Sequence, residues 1–387
     1  MTLNELAIFG DKPAFQSMLH VGRPNIGDRE ELHESLDRIL DSLWLTNDGP
    51  SVQVLESEVK QLLGVGHCVA VANGTLGLEI AARALFDSGG HVIVPSFTFI
   101  ATSHALDWVG LKPVFADINP NTHILDPKDV EAKINEDTVG ILGVHVWGTP
   151  CAPLTLERLA AKYELKLFFD AAHAFDCRVG GYGSCEVFSL HATKFWNSFE
   201  GGLVTTNDSE LAAKLRQLRN FGFACDGTHN VVSVGINAKM SEIHAAAGLT
   251  NLIASQTFVG RNRDNYQCYG WHLAPVSGIR LYDHEFTSNY QYMVIEVMEG
   301  PLTADNLRNI LWAENVRARR YFSPPCHEAE PYRGRYNLPN TDLVSSRVLV
   351  LPTGMAVDRQ DITKICDIIG YCMDNAEEIA EKLKGEE

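Results

Sequence analysis

Seven short, mostly apolar segments alternate with helix-like stretches between residues 69 and 207. They lie at residues 69–72, 92–95, 113–116, 140–144, 166–170, 187–190 and 203–206. Nearly continuous apolar runs of this length are typical of strands that are buried on both faces. Strands that alternate with helices form mainly parallel sheets. The pattern therefore predicts an α/β fold built on a mainly parallel sheet of seven strands.

The sequence changes character after residue 207, where helical patterns outnumber strands. Helices are predicted at 209–219, 241–255, 303–314 and 358–382, with strands at 290–296 and 348–351. A chain of 387 residues is too long for one compact core. We expect a large domain over residues 1–255, including an N-terminal helix at 29–43, and a smaller α+β domain over residues 256–387.

Charge and cysteine content narrow the possible functions. The formal net charge is −17, which argues against a general nucleic-acid surface because phosphate contacts need clustered Lys and Arg. The nine cysteines form no CxxC pair, so reduced thiols are favoured over a metal site or disulfides. No apolar run has the length of a membrane span, and no leader pattern opens the chain. We therefore expect a cytoplasmic protein that binds neither membranes nor metals.

Two polar groups follow predicted strands, at the sheet edge where α/β proteins bind ligands. Gly74 and Thr75 open a helix whose free N–H groups could bind phosphate, although a simple strand–turn–helix would look the same. Asp170 ends a strand and could pair with a protonated ring nitrogen, or could cap the next helix. His173 could share that site or be a structural histidine. Each residue alone leaves both readings open.

Lys194 gives a sharper signal. It follows a buried strand and precedes an aromatic segment and the paired glycines Gly201 and Gly202. Apolar surroundings lower the pKa of a lysine and make its amine nucleophilic. A pyridoxal phosphate (PLP) enzyme needs an anion site, a flat partner for the ring, a carboxylate and a lysine. These parts occur here in order, so the sequence predicts a PLP site.

The sequence also resembles the DegT–DnrJ–StrS family of sugar aminotransferases, which are fold type I PLP enzymes, over nearly its whole length. The motifs that carry the resemblance are Trp44-Leu-Thr-Asn-Asp-Gly-Pro50, Ala72-Asn-Gly-Thr75, Val94-Pro-Ser-Phe-Thr-Phe-Ile-Ala-Thr102, His145-Val-Trp-Gly148, Phe169-Asp-Ala-Ala-His173, Ser189-Leu-His-Ala-Thr-Lys194, Glu200-Gly-Gly202, Gly235-Ile-Asn237 and Met240-Ser-Glu242. Any one of these motifs is weak, but together and in this order they are highly specific.

The resemblance implies a role for each predicted site residue. Lys194 and Asp170 would be catalytic: the lysine forms the Schiff base with PLP and moves the proton, and the carboxylate holds the ring nitrogen protonated. Phe99 would stack on the ring, with Phe97 as a competitor. His173 would lie near the ring or its phenolic oxygen. The remaining cofactor contacts would come from Gly74, Thr75 and Ser189 to the phosphate, and from Asn237 to the phosphate of a neighbouring subunit.

Two departures from the family pattern bear on function. Many relatives have an aromatic residue and Arg after the Asn, whereas Ala238 and Lys239 follow Asn237 here. This difference weakens any transfer of sugar-binding detail from that loop. Relatives that act as PLP-dependent sugar dehydratases have His at the position of Lys194. The lysine therefore favours transamination.

The resemblance implies transfer of an amino group from L-glutamate to a nucleotide-linked keto sugar, with pyridoxamine phosphate as the intermediate carrier. The segment around Lys194 favours a dTDP-4-keto-6-deoxyhexose aminated at C4. A C3 aminotransferase, a sugar dehydratase and a regulatory protein on the same fold are the alternatives. Such enzymes act in O-antigen lipopolysaccharide and in natural-product synthesis.

The resemblance further implies a homodimer with a shared active site. Possible substrate contacts are Trp44, Leu45, Arg319, Tyr321 and His327. Arg319 and Arg320 could instead form the solvated edge of a helix.

Overall fold

The computed structural model describes residues 2–87, 89–228, 230–284 and 288–385. The N-terminal part contains strand β1 (Leu19–His20) and helices α1 (Arg29–Ser42) and α2 (Pro50–Leu63). Helix α1 begins where the sequence predicts it, because the Asp28 side chain accepts hydrogen bonds from the backbone N–H groups of Glu30 and Glu31. Helix α2 follows the turn before Pro50, a residue suited to the first helical position.

A seven-stranded sheet forms the centre of the large domain. Its strands are β2 (His67–Val71), β3 (His91–Pro95), β4 (Lys112–Ala116), β5 (Thr138–Val144), β6 (Lys166–Asp170), β7 (Glu186–Ser189) and β8 (Gly202–Thr206). The spatial order is β2-β8-β7-β6-β5-β3-β4. Only β8 runs against its neighbours, so β2 and β7 point the same way as the parallel strands. This confirms the predicted mainly parallel α/β sheet.

Helices cover both faces of this sheet. They are α3 (Gly74–Leu85), α4 (Ala101–Trp108), α5 (Pro127–Lys133), α6 (Pro153–Lys162), α7 (Ser209–Arg219) and α8 (Glu242–Ile253). Alternate residues of β2 show the two layers, since Val69 and Val71 enter one apolar cluster and Cys68 and Ala70 enter another. Side chains on a strand alternate between faces, so both faces of β2 are buried. This explains the continuous apolar runs in the sequence.

The smaller domain is a three-stranded antiparallel sheet with helices. Its elements are α9 (Ser255–Leu273), β9 (Ile279–Leu281), β10 (Met293–Val297), α10 (Ala304–Ala313), β11 (Val316–Arg317), α11 (Pro339–Arg347), β12 (Val348–Leu351), α12 (Arg359–Asp374) and α13 (Ala376–Lys384). The long helix predicted at 358–382 is two helices that meet at Asn375. None of the described helices is long and apolar enough to cross a lipid bilayer.

Contacts from both ends of the chain cross the predicted division at residue 255, which stays a prediction. Strand β1 pairs with β11, and Leu6 and Phe15 lie in the core of the small domain. Conversely, Tyr332 and Leu338 pack against Phe115 and other residues of the large domain. These contacts join segments that are about 200–300 residues apart in the chain. No local pattern in the sequence reports such pairings.

Candidate active site

The carboxyl ends of β2, β3, β6 and β7 meet at one edge of the large sheet, and a cavity of about 690 Å³ opens there. This is the usual place for a ligand in an open α/β sheet. The small domain closes one side with Tyr292, Arg319, Tyr321 and Phe322. The predicted site residues that line the cavity are Gly74, Thr75, Phe99, Asp170, His173, Ser189, Lys194, Arg319 and Tyr321.

The start of α3 forms an anion cradle in the cavity. Asn73 caps the helix, and its side chain accepts a hydrogen bond of 2.9 Å from the backbone N–H of Leu76. The N–H groups of Gly74 and Thr75 lie in the first turn, where a helix offers them no acceptor of its own. A Cβ at Gly74 would come within 3.2 Å of the Ser189 Cβ, so Ser189 lies directly against the cradle. These donors suit a phosphate.

Gly202 allows this cradle to sit close to the sheet. A Cβ at position 202 would lie 2.6 Å from the Asn73 carbonyl carbon and 2.8 Å from the Gly74 nitrogen. Gly202 pairs with Val71 on one side and Ser189 on the other. The glycine therefore brings the helix start and the two flanking strands together.

Asp170 lies at the end of β6 and is only 7% exposed. Its Oδ2 accepts a hydrogen bond of 2.8 Å from the Thr102 hydroxyl, and its Oδ1 accepts one of 3.0 Å from the Ala172 N–H. Burial raises the pKa of this carboxyl, while both hydrogen bonds oppose the rise. A buried carboxylate held by neutral donors suits a cationic partner such as a pyridinium.

Lys194 extends into the cavity from the loop after β7. Burial lowers the pKa of its amine to about 8, although Tyr321 and Asp170 act in the opposite direction. Its Nζ donates a hydrogen bond of 3.3 Å to the Tyr292 hydroxyl. A lysine with a lowered pKa is partly neutral near pH 8 and can act as a nucleophile.

His173 is held as a neutral ring. Its Nδ1 accepts a hydrogen bond of 3.3 Å from the Trp147 N–H, and its ring stacks on the rings of Trp147 and Phe322. Burial, together with the nearby Lys194 charge, lowers the pKa of His173 well below its usual value. With Nδ1 accepting, the ring proton lies on Nε2. His173 therefore offers one N–H donor and a flat apolar face.

The structure separates the two candidate stacking residues. Phe99 is 59% exposed and lines the cavity, so its ring face is open to a ligand. Phe97 is 1% exposed and makes edge contacts with Trp147 and Phe322 in the core. The arrangement favours Phe99 over Phe97 as the partner of a cofactor ring.

Of the predicted substrate contacts, only Arg319 and Tyr321 line the cavity. Arg319 donates a hydrogen bond of 3.3 Å to the Tyr321 hydroxyl. Arg320 instead forms an ion pair of 2.7 Å with Asp305. Neither arginine is on a helix, because both follow β11, so the reading of a solvated helix edge does not hold.

The other three predicted substrate contacts lie outside the cavity lining. Trp44 and Leu45 are about half exposed between α1 and α2, at 48% and 47%. His327 is buried, and its Nδ1 is 2.7 Å from the Ser96 hydroxyl while its Nε2 is 3.2 Å from Asp342. Those contacts hold the segment around His327 against the end of β3, so His327 has a structural role in this chain.

Asn237 also lies apart from the cavity lining. It is exposed on the loop between α7 and α8, where its side chain accepts a hydrogen bond of 2.6 Å from Lys239. The predicted reach to a neighbouring subunit stays a prediction.

Sequence reasoning did not single out several residues of the site, among them Tyr292 and Phe322 of the cavity lining, and Thr102, whose hydroxyl binds Asp170. Thr102 stands within a quoted motif, but nothing local shows that its hydroxyl reaches Asp170. Tyr292 and Phe322 arrive from the small domain, which lies about 100 residues or more along the chain from Lys194. Only the tertiary fold brings them to the lysine.

Comparisons with known proteins agree with this geometry. The sequence profile of the DegT/DnrJ/EryC1/StrS aminotransferase family matches residues 27–370. A dTDP-4-amino-4,6-dideoxy-D-glucose transaminase of Shigella dysenteriae is 36% identical over 353 residues, covering 88% of this chain and 94% of the relative. A transaminase of the same name from Escherichia coli is 33% identical over 363 residues, covering 90% and 97%.

A solved structure is more similar still. The crystal structure of DesI in the presence of its TDP-sugar product is 47% identical, with a TM-score of 0.94, and covers 99% of this chain and 100% of the DesI chain. The chain belongs to the DegT/DnrJ/EryC1/StrS aminotransferase family. It is a PLP-dependent nucleotide-sugar aminotransferase, as the sequence predicted.

The residues present fit PLP. The anion cradle at the start of α3 suits the phosphate, and Asp170 suits the ring nitrogen. Phe99 offers an open ring face for stacking, and Lys194 offers the amine. The cofactor prediction is confirmed by the family. The roles of the individual residues stay predictions.

Proposed function

We propose that this protein transfers the amino group of L-glutamate to C4 of a dTDP-4-keto-6-deoxyhexose. The observation that carries the proposal is the likeness to DesI, whose structure was determined with its TDP-sugar product, over 99% of this chain at 47% identity. The two transaminases from Shigella and Escherichia carry names that describe a dTDP-4-amino-4,6-dideoxy sugar. An amino group at C4 is the feature that the names of these two transaminases share.

Each site residue of this chain would have a separate role in such a reaction. When bound, PLP supplies an electron sink that makes a neighbouring C–H bond acidic. Asp170 keeps the ring nitrogen protonated, and the start of α3 with Ser189 binds the phosphate. Lys194 takes a proton from one carbon and returns it to another, which is general acid–base catalysis. His173 donates its Nε2–H near the ring, and Phe99 covers one ring face.

Arg319 is placed to bind the anionic part of each substrate. Among the described lining side chains it is the single arginine, and it lies on the small-domain side of the cavity beside Tyr321. A guanidinium binds carboxylates and phosphates through paired hydrogen bonds. Glutamate and a nucleotide diphosphate sugar use the site in turn, so one cation can serve both.

A homodimer with a shared active site is part of the proposal. The loop between α7 and α8 exposes Val231, Val232 and Val234 at 66%, 61% and 80%. A cluster of exposed apolar side chains marks a contact surface for another protein. Asn237 stands on the same loop, and its predicted partner is the phosphate bound to the second subunit. We propose that two copies dock through this loop and that Asn237 reaches the partner's cavity.

Two further assignments belong to the proposal. The cytoplasm is the proposed location, because keto-sugar nucleotides and glutamate are cytosolic metabolites. The product would be used in building O-antigen lipopolysaccharide or a glycosylated natural product.

A substrate screen tests the proposal. Purified protein is incubated with PLP, glutamate and a set of keto-sugar nucleotides, and the products are analysed by NMR. We expect an amine at C4 of a dTDP-6-deoxyhexose and, after borohydride reduction, a cofactor label on Lys194. An amine at C3, or loss of a hydroxyl without amination, would contradict the C4 assignment. A Lys194→Ala variant is the control, and it should give no product.

A further inference from the structure

Tyr292 contacts the reacting lysine from the opposite domain. It stands just before β10, is 6% exposed, and its hydroxyl is 3.3 Å from the Lys194 Nζ. Its ring centroid lies 4.4 Å from that of His173 and 5.4 Å from that of Trp147. The ring is therefore fixed by neighbours, and its hydroxyl points at the lysine amine.

Gln291, the residue before Tyr292, holds the backbone of the loop that carries Lys194. The Gln291 Oε1 accepts a hydrogen bond of 3.1 Å from the N–H of Phe195, the residue that follows Lys194. The His284 Nε2 donates a hydrogen bond of 2.9 Å to the Tyr292 carbonyl. One short segment of the small domain thus holds both the main chain beside Lys194 and its side-chain amine.

We propose that Tyr292 is a further catalytic residue, whose phenol oxygen accepts a hydrogen bond from the Lys194 ammonium and holds it between the two proton transfers. The inference rests on the proposed transamination, in which Lys194 takes up a proton from one carbon and gives it to another. Between those events the lysine is an ammonium with three N–H donors. One N–H bound to Tyr292 keeps the amine aimed into the cavity, and the others stay free to donate.

The chemical state of Tyr292 suits this role. Burial raises the pKa of its phenol, so the side chain stays neutral in the pH range where the lysine titrates. A neutral phenol oxygen can accept a hydrogen bond from the ammonium without holding its proton tightly. A phenolate or a carboxylate at the same distance would hold that proton, because it is negatively charged. The contact therefore stabilises the ammonium modestly and leaves it able to give up its proton.

The direct test measures the pKa of Lys194 in the cofactor-free protein. Trace acetylation with acetic anhydride across a pH series, followed by mass spectrometry of the peptide that contains Lys194, gives the titration curve of this amine. Wild type should titrate near the value of about 8 set by burial. Tyr292→Phe keeps the packed ring and removes the acceptor, so the pKa should fall by about one unit.

Tyr282→Phe is the matched control. Tyr282 is a buried phenol of the same apolar cluster, and its hydroxyl bonds to Thr149 and the Thr122 carbonyl rather than to the lysine. This variant should leave the Lys194 pKa unchanged. A pKa that stays the same or rises in Tyr292→Phe would overturn the proposal, because a rise would mean that the phenol donates to the neutral amine.

Two further measurements complete the test. If Tyr292→Phe does not fold, 3-fluorotyrosine is introduced at position 292 instead. Its hydroxyl is a poorer acceptor, so the pKa of Lys194 should fall here too. An unchanged Lys194 pKa would overturn the proposal. In single-turnover experiments on the PLP form with glutamate alone, the rate constant of this half-reaction should fall about tenfold in Tyr292→Phe, with the apparent Kd for glutamate changed less than about threefold. The pKa result does not depend on turnover, so it stands even if no keto sugar is accepted.

Discussion

At the scale of single residues, Asp170 is the group most directly matched to a pyridinium. Two neutral donors hold its carboxyl oxygens, and burial raises its pKa although those hydrogen bonds and the nearby Lys194 charge act in the opposite direction. A bound, protonated ring nitrogen would offset the unfavourable effect of burial on the ionised carboxylate. The pair stabilises the ligand as well as the ionised carboxyl.

Asp170→Asn should therefore reduce kcat/KM by about 100-fold or more while the protein still folds, since the amide keeps the size of the carboxyl but not its charge. Single-turnover kinetics of the PLP form over a series of glutamate concentrations measures the change, as the apparent second-order rate constant that corresponds to kcat/KM. Asp117→Asn is the control, because Asp117 is an equally buried carboxylate that accepts hydrogen bonds from Asn340 and Thr341. The Asp117→Asn protein should be less stable than wild type, but its folded molecules should keep the wild-type activity. Equal losses of activity in both variants would contradict the assignment of Asp170.

The pH dependence of stability should contain a contribution from His284. Burial lowers the pKa of this histidine to about 4, from a usual value of 6.5. The unfolded chain takes up the proton first as the pH falls, so the contribution is complete above pH 6.5 and is lost between pH 6.5 and 4. The loss is at most roughly 3 kcal/mol.

Urea unfolding at pH 7.5, 5.5 and 4.5 checks this expectation. His284→Gln should be less stable at pH 7.5 but should lose less stability on acidification than wild type. His20→Gln, at an exposed position on β1, is the control and should keep the wild-type slope. A His284→Gln protein with the wild-type slope would refute the prediction.

At the scale of elements, the site depends on how closely helix α3 approaches the sheet. Gly202→Ala would place a methyl group 2.6 Å from the Asn73 carbonyl carbon. The first turn of α3 must move to relieve that contact, which separates its N–H groups from Ser189. We expect PLP to bind at least about tenfold more weakly, together with a loss of a few kcal/mol of stability.

Gly260→Ala provides the comparison for that change. Gly260 is within α9, and a Cβ there would meet no atom within 4 Å. This substitution should raise stability by up to about 1 kcal/mol and leave PLP affinity unchanged. Fluorescence titration with PLP and thermal unfolding report the two quantities. PLP affinity that is unchanged in Gly202→Ala would show that the cradle does not need this close approach.

At the scale of the whole molecule, the proposed shared site can be tested by mixing subunits. Lys194→Ala and Asn237→Ala should each be inactive or nearly so. When they are mixed, unfolded and refolded together, half of the dimers contain one of each, and each such dimer has one intact site. Activity should rise to roughly a quarter of wild type. No gain over the separate variants would mean that Lys194 and Asn237 serve the same site within one chain or that Asn237 has no role.

The contact surface of that dimer has its own test. Val234→Asp should shift the protein toward monomer in sedimentation velocity, because it places a charge in an apolar contact. Trp271→Gln, at a residue on α9 that is similarly exposed (83% against 80%), should leave the assembly unchanged. A dimer that persists in Val234→Asp would remove this loop from the interface.

The sequence by itself determined the sheet, the cofactor and the family, and it predicted Lys194 as the reacting lysine. Strands buried on both faces must be apolar throughout, so the seven runs could be read locally. The start of α3, Asp170 and Lys194 each follow a strand of the same sheet, and the carboxyl ends of such strands meet at one edge. Their order along the chain was enough to predict a PLP site and the family.

Only the tertiary structure decided which side chains complete that site. It placed Phe99 in the cavity and Phe97 in the core, and it gave Arg319 to the cavity and Arg320 to an ion pair with Asp305. Adjacent or nearly adjacent residues of the same type carry no local difference that sequence could show. The contact of Tyr292 with Lys194 spans 98 positions along the chain. Such a contact is set by how the two domains pack, because neither residue's neighbours in sequence encode the other's position.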